Sequence, residues 1–159
     1  MSHIKTIEVS HLGGINAAYQ MPQAYDPGKP TLVMINSHRT TSDLYKLQFS
    51  DGSVRDVMNL VAIEPLGHGQ TRTKSEHFTF WDTAIMNLQV LEALGIEKWF
   101  ALGTSQGGWV VVRMALLAPE KVRAPLAAQR MTNNRSLTES LLALVYWYIT
   151  ARQFHGLRV

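Results

Sequence analysis

Residues 4–9 alternate, with Ile4, Thr6 and Glu8 opposing Lys5, Ile7 and Val9, and this period of two predicts a half-exposed strand. His11, Leu12, Gly13 and Gly14 then supply a turn into a second short strand at 15–21. Between 22 and 30, Pro22, Pro27, Pro30, Gly28 and Asp26 predict a loop. From residue 31 the pattern changes. Residues 31–36 (TLVMIN) form an unbroken apolar run that ends in a polar residue, and 59–64 (NLVAIE) and 99–103 (WFALG) repeat it. Runs of this kind predict strands buried on both faces, as in a parallel sheet. Between the last two, Trp81, Ala84, Ile85, Leu88 and Leu91 fall at helical spacing, with Gly95 placed to end the helix. Residues 106–118 are almost uninterrupted Val, Met, Ala and Leu until Pro119 stops them. A helix that is apolar all round is expected to be buried all round, which places Trp109 and Met114 in the core. Each parallel step needs a crossover, so this order predicts an α/β fold, a mainly parallel sheet flanked by helices. The strand at 31–36 is expected between those at 59–64 and 99–103, or beside one of them.

Composition narrows the class. The chain has 159 residues, 46% of them hydrophobic, and a net charge of +3, which suits one folded domain and excludes a disordered chain. It has no cysteine, which excludes disulfides, thiolate metal sites and a cysteine nucleophile. No stretch approaches the ~18 apolar residues that a membrane span needs, and 1–10 lacks a basic region followed by an apolar one. A cytoplasmic protein is therefore expected. Charge is unevenly placed: residues 1–124 carry 11 basic and 11 acidic side chains, whereas 125–159 carry Arg130, Arg135, Arg152 and Arg158 against Glu139 alone. The basic character belongs to the tail and does not point to nucleic acid. No cluster of His, Asp and Glu has metal-ligand spacing, and no cofactor is expected.

The chemistry concentrates at Gly103-Thr104-Ser105-Gln106-Gly107, a G-x-S-x-G pattern with Gly108 adding a third glycine. A nucleophilic serine must stand on a sharp strand-to-helix turn that tolerates no bulk on either side, and the helix then aims its free N–H groups at a developing oxyanion. Here the pattern falls between a buried strand and an apolar helix, where that mechanism needs it. The alternative is a glycine-rich turn that only packs helix on sheet.

Residues 1–124 resemble an α/β-hydrolase, of the small cofactor-free kind found in bacterial ring-fission and fungal metabolite pathways. The strand at 31–36 followed by Ser37, His38 and Arg39 resembles the oxyanion loop after the third strand. Residues 64–71 (EPLGHGQT) resemble the acidic-x-x-Gly-His-Gly-x-Ser/Thr turn, 103–108 the nucleophile elbow, and 119–122 (PEKV) the link to the sixth strand. The resemblance implies that Ser105 is the nucleophile and that the backbone N–H groups of Gln106 and His38 are the oxyanion donors. Relatives have His-Gly where Asn36 and Ser37 stand, so the bonds of that loop are expected to differ. His68 is expected to hold loop geometry, and His3, His11 and His77 to lie on the surface. The implied activity is cleavage of an ester, thioester or activated C–C bond of a small apolar metabolite. The alternative is an inactive remnant that serves as a binding or interaction scaffold.

The triad order of this family is Ser, then Asp or Glu, then His. After Ser105 the chain holds no Asp, two Glu (Glu120 and Glu139) and one His, His155. The helix from 106 carries Glu120 about 18 Å away, to the opposite sheet edge. Ser136, Leu137, Thr138 and Glu139 form a capping box that predicts one helix over 136–153, which holds Glu139 and His155 about 24 Å apart. His155 is the candidate base, and His38 the one nearby substitute, with Asp43 close to it in sequence. The sixth strand is expected to be interrupted at Pro125, and 125–159 resemble nothing in the family. This divides the chain into a hydrolase-like part, 1–124, and a divergent basic tail. The expected reading is a truncated product whose hydrolase activity is impaired, leaving little or no esterase activity; the other is a minimal variant with a replaced C-terminus. The apolar run 141–149 (LLALVYWYI) is expected to cover a face left open, through Tyr146, Trp147 and Tyr148, or to support self-association.

Overall fold

The computed structural model describes residues 4–128, with side chains through Arg123. The expectations for a helix at 136–153, for Glu139, for His155 and for the aromatic trio at 146–148 lie outside the described residues.

The seven strands of the described residues form one sheet. The chain opens with β1 (Lys5–Val9) and β2 (Ile15–Gln20), an antiparallel pair joined by a tight turn in which Leu12, Gly13 and Gly14 all take positive φ. β3 (Thr31–Ile35) follows the proline-rich loop. A 3-10 turn at Ser42–Tyr45 and two short helices, α1 (Lys46–Ser50) and α2 (Gly52–Val57), lead to β4 (Asn59–Ile63). After the two-residue β5 (Arg72–Thr73) come α3 (Phe80–Ala93), β6 (Trp99–Thr104), α4 (Gln106–Leu117) and β7 (Val122–Ala128). The spatial order is β1-β2-β4-β3-β6-β7, with β5 paired to β2. β3 lies between β4 and β6 and is parallel to both, as expected for neighbours joined by crossovers.

The unbroken apolar runs reflect two cores. Val33 and Ile35 of β3, with Val61, Ile63 and Ala101, face Met86, Val90, Val110, Val111 and Met114 of α3 and α4. The alternate residues Leu32, Met34, Leu60, Ala62, Phe100 and Leu102 face Tyr45, Phe49, Val54 and Met58. A strand covered on both sides has no polar face to show. α3 starts on a capping box, in which Thr79 Oγ1 accepts from the N–H of Asp82 while Asp82 Oδ2 accepts from the Thr79 N–H at 2.7 Å.

Three expectations are corrected. Pro125 does not interrupt the sixth strand: β7 runs through it, in register with Ala101 of β6. Proline lacks an N–H, so a sheet admits it where that donor would face away from a neighbour; β7 is the outermost strand among the described residues. This strand also runs across the composition change near residue 124. Trp109 is not core but 61% exposed, with Val112, Leu116 and Leu117 also exposed, so α4 is buried on one side only, by Val110, Val111 and Met114. His11 is not a free surface residue: its ring nitrogen Nε2 meets Asp82 Oδ1 at 2.9 Å, tying the first turn to α3. The helices between 46 and 57 had no counterpart in the apolar pattern, because five or six residues are too few to show a period of 3.6.

Candidate functional site

β4, β3 and β6 are adjacent and parallel, so the loops leaving their C-terminal ends meet at one sheet edge. Open parallel sheets place their sites at such an edge. Three segments converge there: 36–41 after β3, 64–71 after β4, and Ser105 after β6.

Ser105 is one residue between strand and helix, and its backbone takes φ 53° and ψ −113°. A non-glycine residue with positive φ outside the left-handed helical well is strained and persists only where its surroundings enforce it. Its neighbours show the enforcement. A Cβ at Gly103 would overlap the backbone of Gly107 and Gly108, and one at Gly107 would overlap the carbonyl of Ile35. Helix, strand and the end of β3 therefore touch through backbone alone, and the turn between them is forced tight. Ser105 is exposed, and its hydroxyl makes no hydrogen bond among the described residues. Its carbonyl accepts the N–H of Gly108, which leaves the Gln106 and Gly107 N–H groups as open donors of the first helical turn.

The loop after β3 is closed on itself. Asn36, buried, donates through Nδ2 to the Thr40 carbonyl at 2.7 Å, and Thr40 Oγ1 donates to the Ser37 carbonyl at 2.8 Å. Arg39 sits at φ 59° and gives its N–H to His68 Nε2 at 3.3 Å. His68 Nδ1 donates to the Leu66 carbonyl at 3.0 Å, so both of its nitrogens are used. The His38 ring lies edge-on to His68, with centroids 5.8 Å apart, and its Nδ1 donates to Gln106 Oε1 at 3.1 Å. An amide oxygen can only accept, so Nδ1 carries the proton of that bond, while Nε2 makes no hydrogen bond among the described residues. The backbone N–H of His38 has no partner among the described residues.

Two buried side chains brace these loops, and neither stood out in the sequence as a site residue. Glu64 has no exposed surface; its Oε1 accepts from the Ser42 N–H at 3.2 Å and the Ser42 hydroxyl at 2.8 Å, and its Oε2 from the Gln70 N–H at 2.6 Å. Gln20 Nε2 extends the chain by donating to Ser42 Oγ at 2.7 Å. Tyr45 donates to the Ile35 carbonyl at 2.9 Å and meets Thr104 Oγ1 at 3.1 Å, linking the end of β3 to the residue before Ser105. Burial pushes the Tyr45 phenol well above its usual range, against a smaller opposing effect of the Thr104 bond.

The structure brings Ser105, Gln106 and His38 together. It does not bring Asp43 to His38: the Asp43 carboxylate pairs with Lys46 at 2.9 Å on the surface. Glu120 is exposed beyond the far end of α4. His155 lies outside the described residues. Among the described residues no group of three or more His, Asp or Glu is placed to hold a metal ion, and no helix is long and apolar enough to cross a membrane.

A family model described as the alpha/beta hydrolase fold matches residues 30–125. The chain is 26% identical over 129 residues to 2-heptyl-3-hydroxy-4-quinolone dioxygenase AqdC1 of Rhodococcus erythropolis, covering 78% of this chain and 43% of that protein. It is 26% identical over 121 residues to the uncharacterized hydrolase YugF of Bacillus subtilis, covering 76% and 43%. Among solved structures it is similar to an epoxide hydrolase point mutant of Vigna radiata, with a TM-score of 0.67, 15% identity, and coverage of 80% of this chain and 39% of that one. The chain thus spans less than half the length of these relatives.

Proposed function

The chain belongs to the α/β-hydrolase fold family, and from that premise we propose that Ser105 is the nucleophile of a serine hydrolase that acts on an ester, thioester or activated C–C bond of a small apolar metabolite. The observation that carries the reading is the Ser105 backbone at φ 53°, held by glycine contacts on both sides, with the residue exposed and its hydroxyl unbonded among the described residues. A packing turn alone has no need of a strained serine. The AqdC1 relative bears a name that gives it an alkyl hydroxyquinolone to act on, which fits an apolar substrate with a polar head.

In the proposed reaction Ser105 Oγ attacks the substrate carbonyl carbon, and its proton passes to a base. The carbonyl oxygen becomes an oxyanion, taken up by the N–H groups of Gln106 and His38. The C–O or C–S bond then breaks, the leaving group takes the proton from the base, and water releases the acyl group by the same steps in reverse. His155 is the candidate base. His38 is the other, because its Nε2 makes no hydrogen bond among the described residues while Nδ1 is anchored on Gln106. His68 is unsuited, with both nitrogens bonded.

A fluorophosphonate probe tests the proposal, with Ser105→Ala as control. Ser105-dependent labelling is expected from a working nucleophile. Labelling lost in His155→Ala assigns the base to the tail, and labelling lost in His38→Ala assigns it to the oxyanion loop. No labelling above the Ser105→Ala background overturns the hydrolase reading for this chain. It leaves the alternative, a scaffold that binds a small molecule without turnover.

A further inference from the structure

Past Gln106, α4 carries a single polar side chain, Arg113, yet only one side of it meets the sheet. Val110, Val111 and Met114 are fully buried. Trp109, Val112, Leu116 and Leu117 are 61, 40, 67 and 44% exposed. These four lie at i, i+3, i+7 and i+8, a single stripe along the solvent side. Arg113 does not break the stripe. Its guanidinium lies 5.0 Å from the ring centre of Trp81, at the start of α3, and 6.0 Å from that of Trp109. A guanidinium stacked on rings widens a flat contact surface. Single exposed apolar residues need no explanation, whereas a contiguous stripe on a helix of the core marks a contact.

We propose that this stripe is the docking face of the chain's own segment 141–149 (LLALVYWYI). β7 is the last described element before that segment, and it packs beside α4. Because β7 is parallel to β6, it ends at the same sheet edge as Ser105, where α4 begins, one turn before Trp109. The twelve residues 129–140 can span about 40 Å when extended, twice the ~18 Å length of α4, so the reach is ample. A chain that leaves β7 with the right-handed sense of parallel crossovers passes over the face that already holds α4. The chemistry matches as well: the nine residues carry no charge, whereas the residues on either side hold Arg130, Arg135, Glu139 and Arg152. Docked on the stripe, the apolar run would be flanked by charges that stay in water.

The absence of cysteine makes the test clean. In the whole chain, Leu116→Cys is combined in turn with Leu141→Cys, Leu144→Cys and Val145→Cys, which sample the helical and extended registers. Each pair is oxidised at low protein concentration. A disulfide within one chain is expected for at least one pair, because it forms when the Cα atoms come within about 7 Å. Its yield should exceed by about tenfold that of the same tail cysteines paired with Leu47→Cys, a residue 57% exposed on α1 across the sheet. A disulfide-linked dimer in place of the internal bond would assign the face to a second copy and overturn the proposal. Equal yields with Leu116→Cys and Leu47→Cys would overturn it too, as would free thiols in every pair. Separately, Leu116→Asp should speed tryptic cleavage at Arg152 while leaving the far-ultraviolet spectrum unchanged; an unchanged cleavage rate counts against docking.

Discussion

Replacing Glu64 by alanine tests whether this carboxylate is what binds the loop after β3 to the loop after β4. Its two oxygens take three hydrogen bonds, from the N–H and hydroxyl of Ser42 and the N–H of Gln70. The hydroxyl can rotate, but the two backbone N–H groups cannot seek another acceptor without moving their loops. A buried donor left unpaired costs about 1–3 kcal/mol, so two of them cost about 2–6 kcal/mol. Removing a buried charge also relieves some desolvation, which places the expected loss in the lower part of that range, about 2–4 kcal/mol. Against a total stability of about 5–15 kcal/mol for a domain, this is a large change. Glu64→Gln keeps the volume and one acceptor oxygen while turning an NH2 toward one of the N–H groups, so about half the loss is expected. The assay is urea unfolding followed by tryptophan fluorescence, with the m-value compared to confirm that the same surface unfolds. A Glu64→Ala midpoint within about 0.5 kcal/mol of the parent would falsify the bracing argument, as would equal losses for alanine and glutamine.

Gly107→Ala should destabilise by about 1–3 kcal/mol, because its methyl group would enter the Ile35 carbonyl; a urea midpoint equal to the parent's would show that α4 can slide away. Tyr45→Phe should cost about 1–2 kcal/mol by removing the hydroxyl between Ile35 and Thr104, again read by urea unfolding. In a spectrophotometric titration of the folded protein, Tyr45 should stay un-ionised at about pH 10, where a phenol in water ionises, since burial raises its phenol; its ionisation there would refute its sealed position. Asp82 is held below the usual carboxylate range first by the Thr79 hydroxyl, with the Thr79 N–H and His11 adding to it. A lowered folded-state pKa gives stability that is present above about 3.9 and lost as pH falls through the folded value, so the melting-temperature gap between the parent and Asp82→Asn should be open at pH 7 and close toward pH 2. A gap that persists undiminished at pH 2 would show that the charge is not its source.

The parts of the fold that the sequence made legible share one property: a local pattern fully states the physics. Residues 32–35 and 60–63 are apolar at every position because both faces are covered, and Gly103 and Gly107 are glycines because backbone touches backbone. What stayed hidden depends on partners far along the chain. Nothing near Glu64 announces that Ser42 will reach it, and nothing near Tyr45 announces Thr104. His11 reads as a turn residue until Asp82, 71 positions on, is placed beside it. Pro125 reads as a strand breaker because local rules assume neighbours on both sides, and β7 has only one described neighbour. Trp109 reads as core because composition says that α4 must be covered, but not by what.

The same division runs through the proposed chemistry. Backbone groups need only the right turn, and the turns at 36–40 and 105–108 are closed by bonds within each segment and by the Gly107 contact with Ile35. The proposed oxyanion cradle would then need only the pairing of β3 with β6 to be complete. A base is different in kind, because it must keep a lone pair free while a second bond holds its ring. His68 fails that condition, since Leu66 and Arg39 take both of its nitrogens. His38 meets it through one bond to Gln106, but its ring is exposed, and the carboxylate nearest in sequence, Asp43, is turned to Lys46. Without an acid to stabilise the imidazolium, a histidine base supports only slow attack. If His38 is the base, then Ser105 labelling should be slow and should vanish in His38→Ala. A base completed by an acid gives fast labelling that survives His38→Ala, so the labelling rates of those two proteins separate the assignments without knowledge of the substrate.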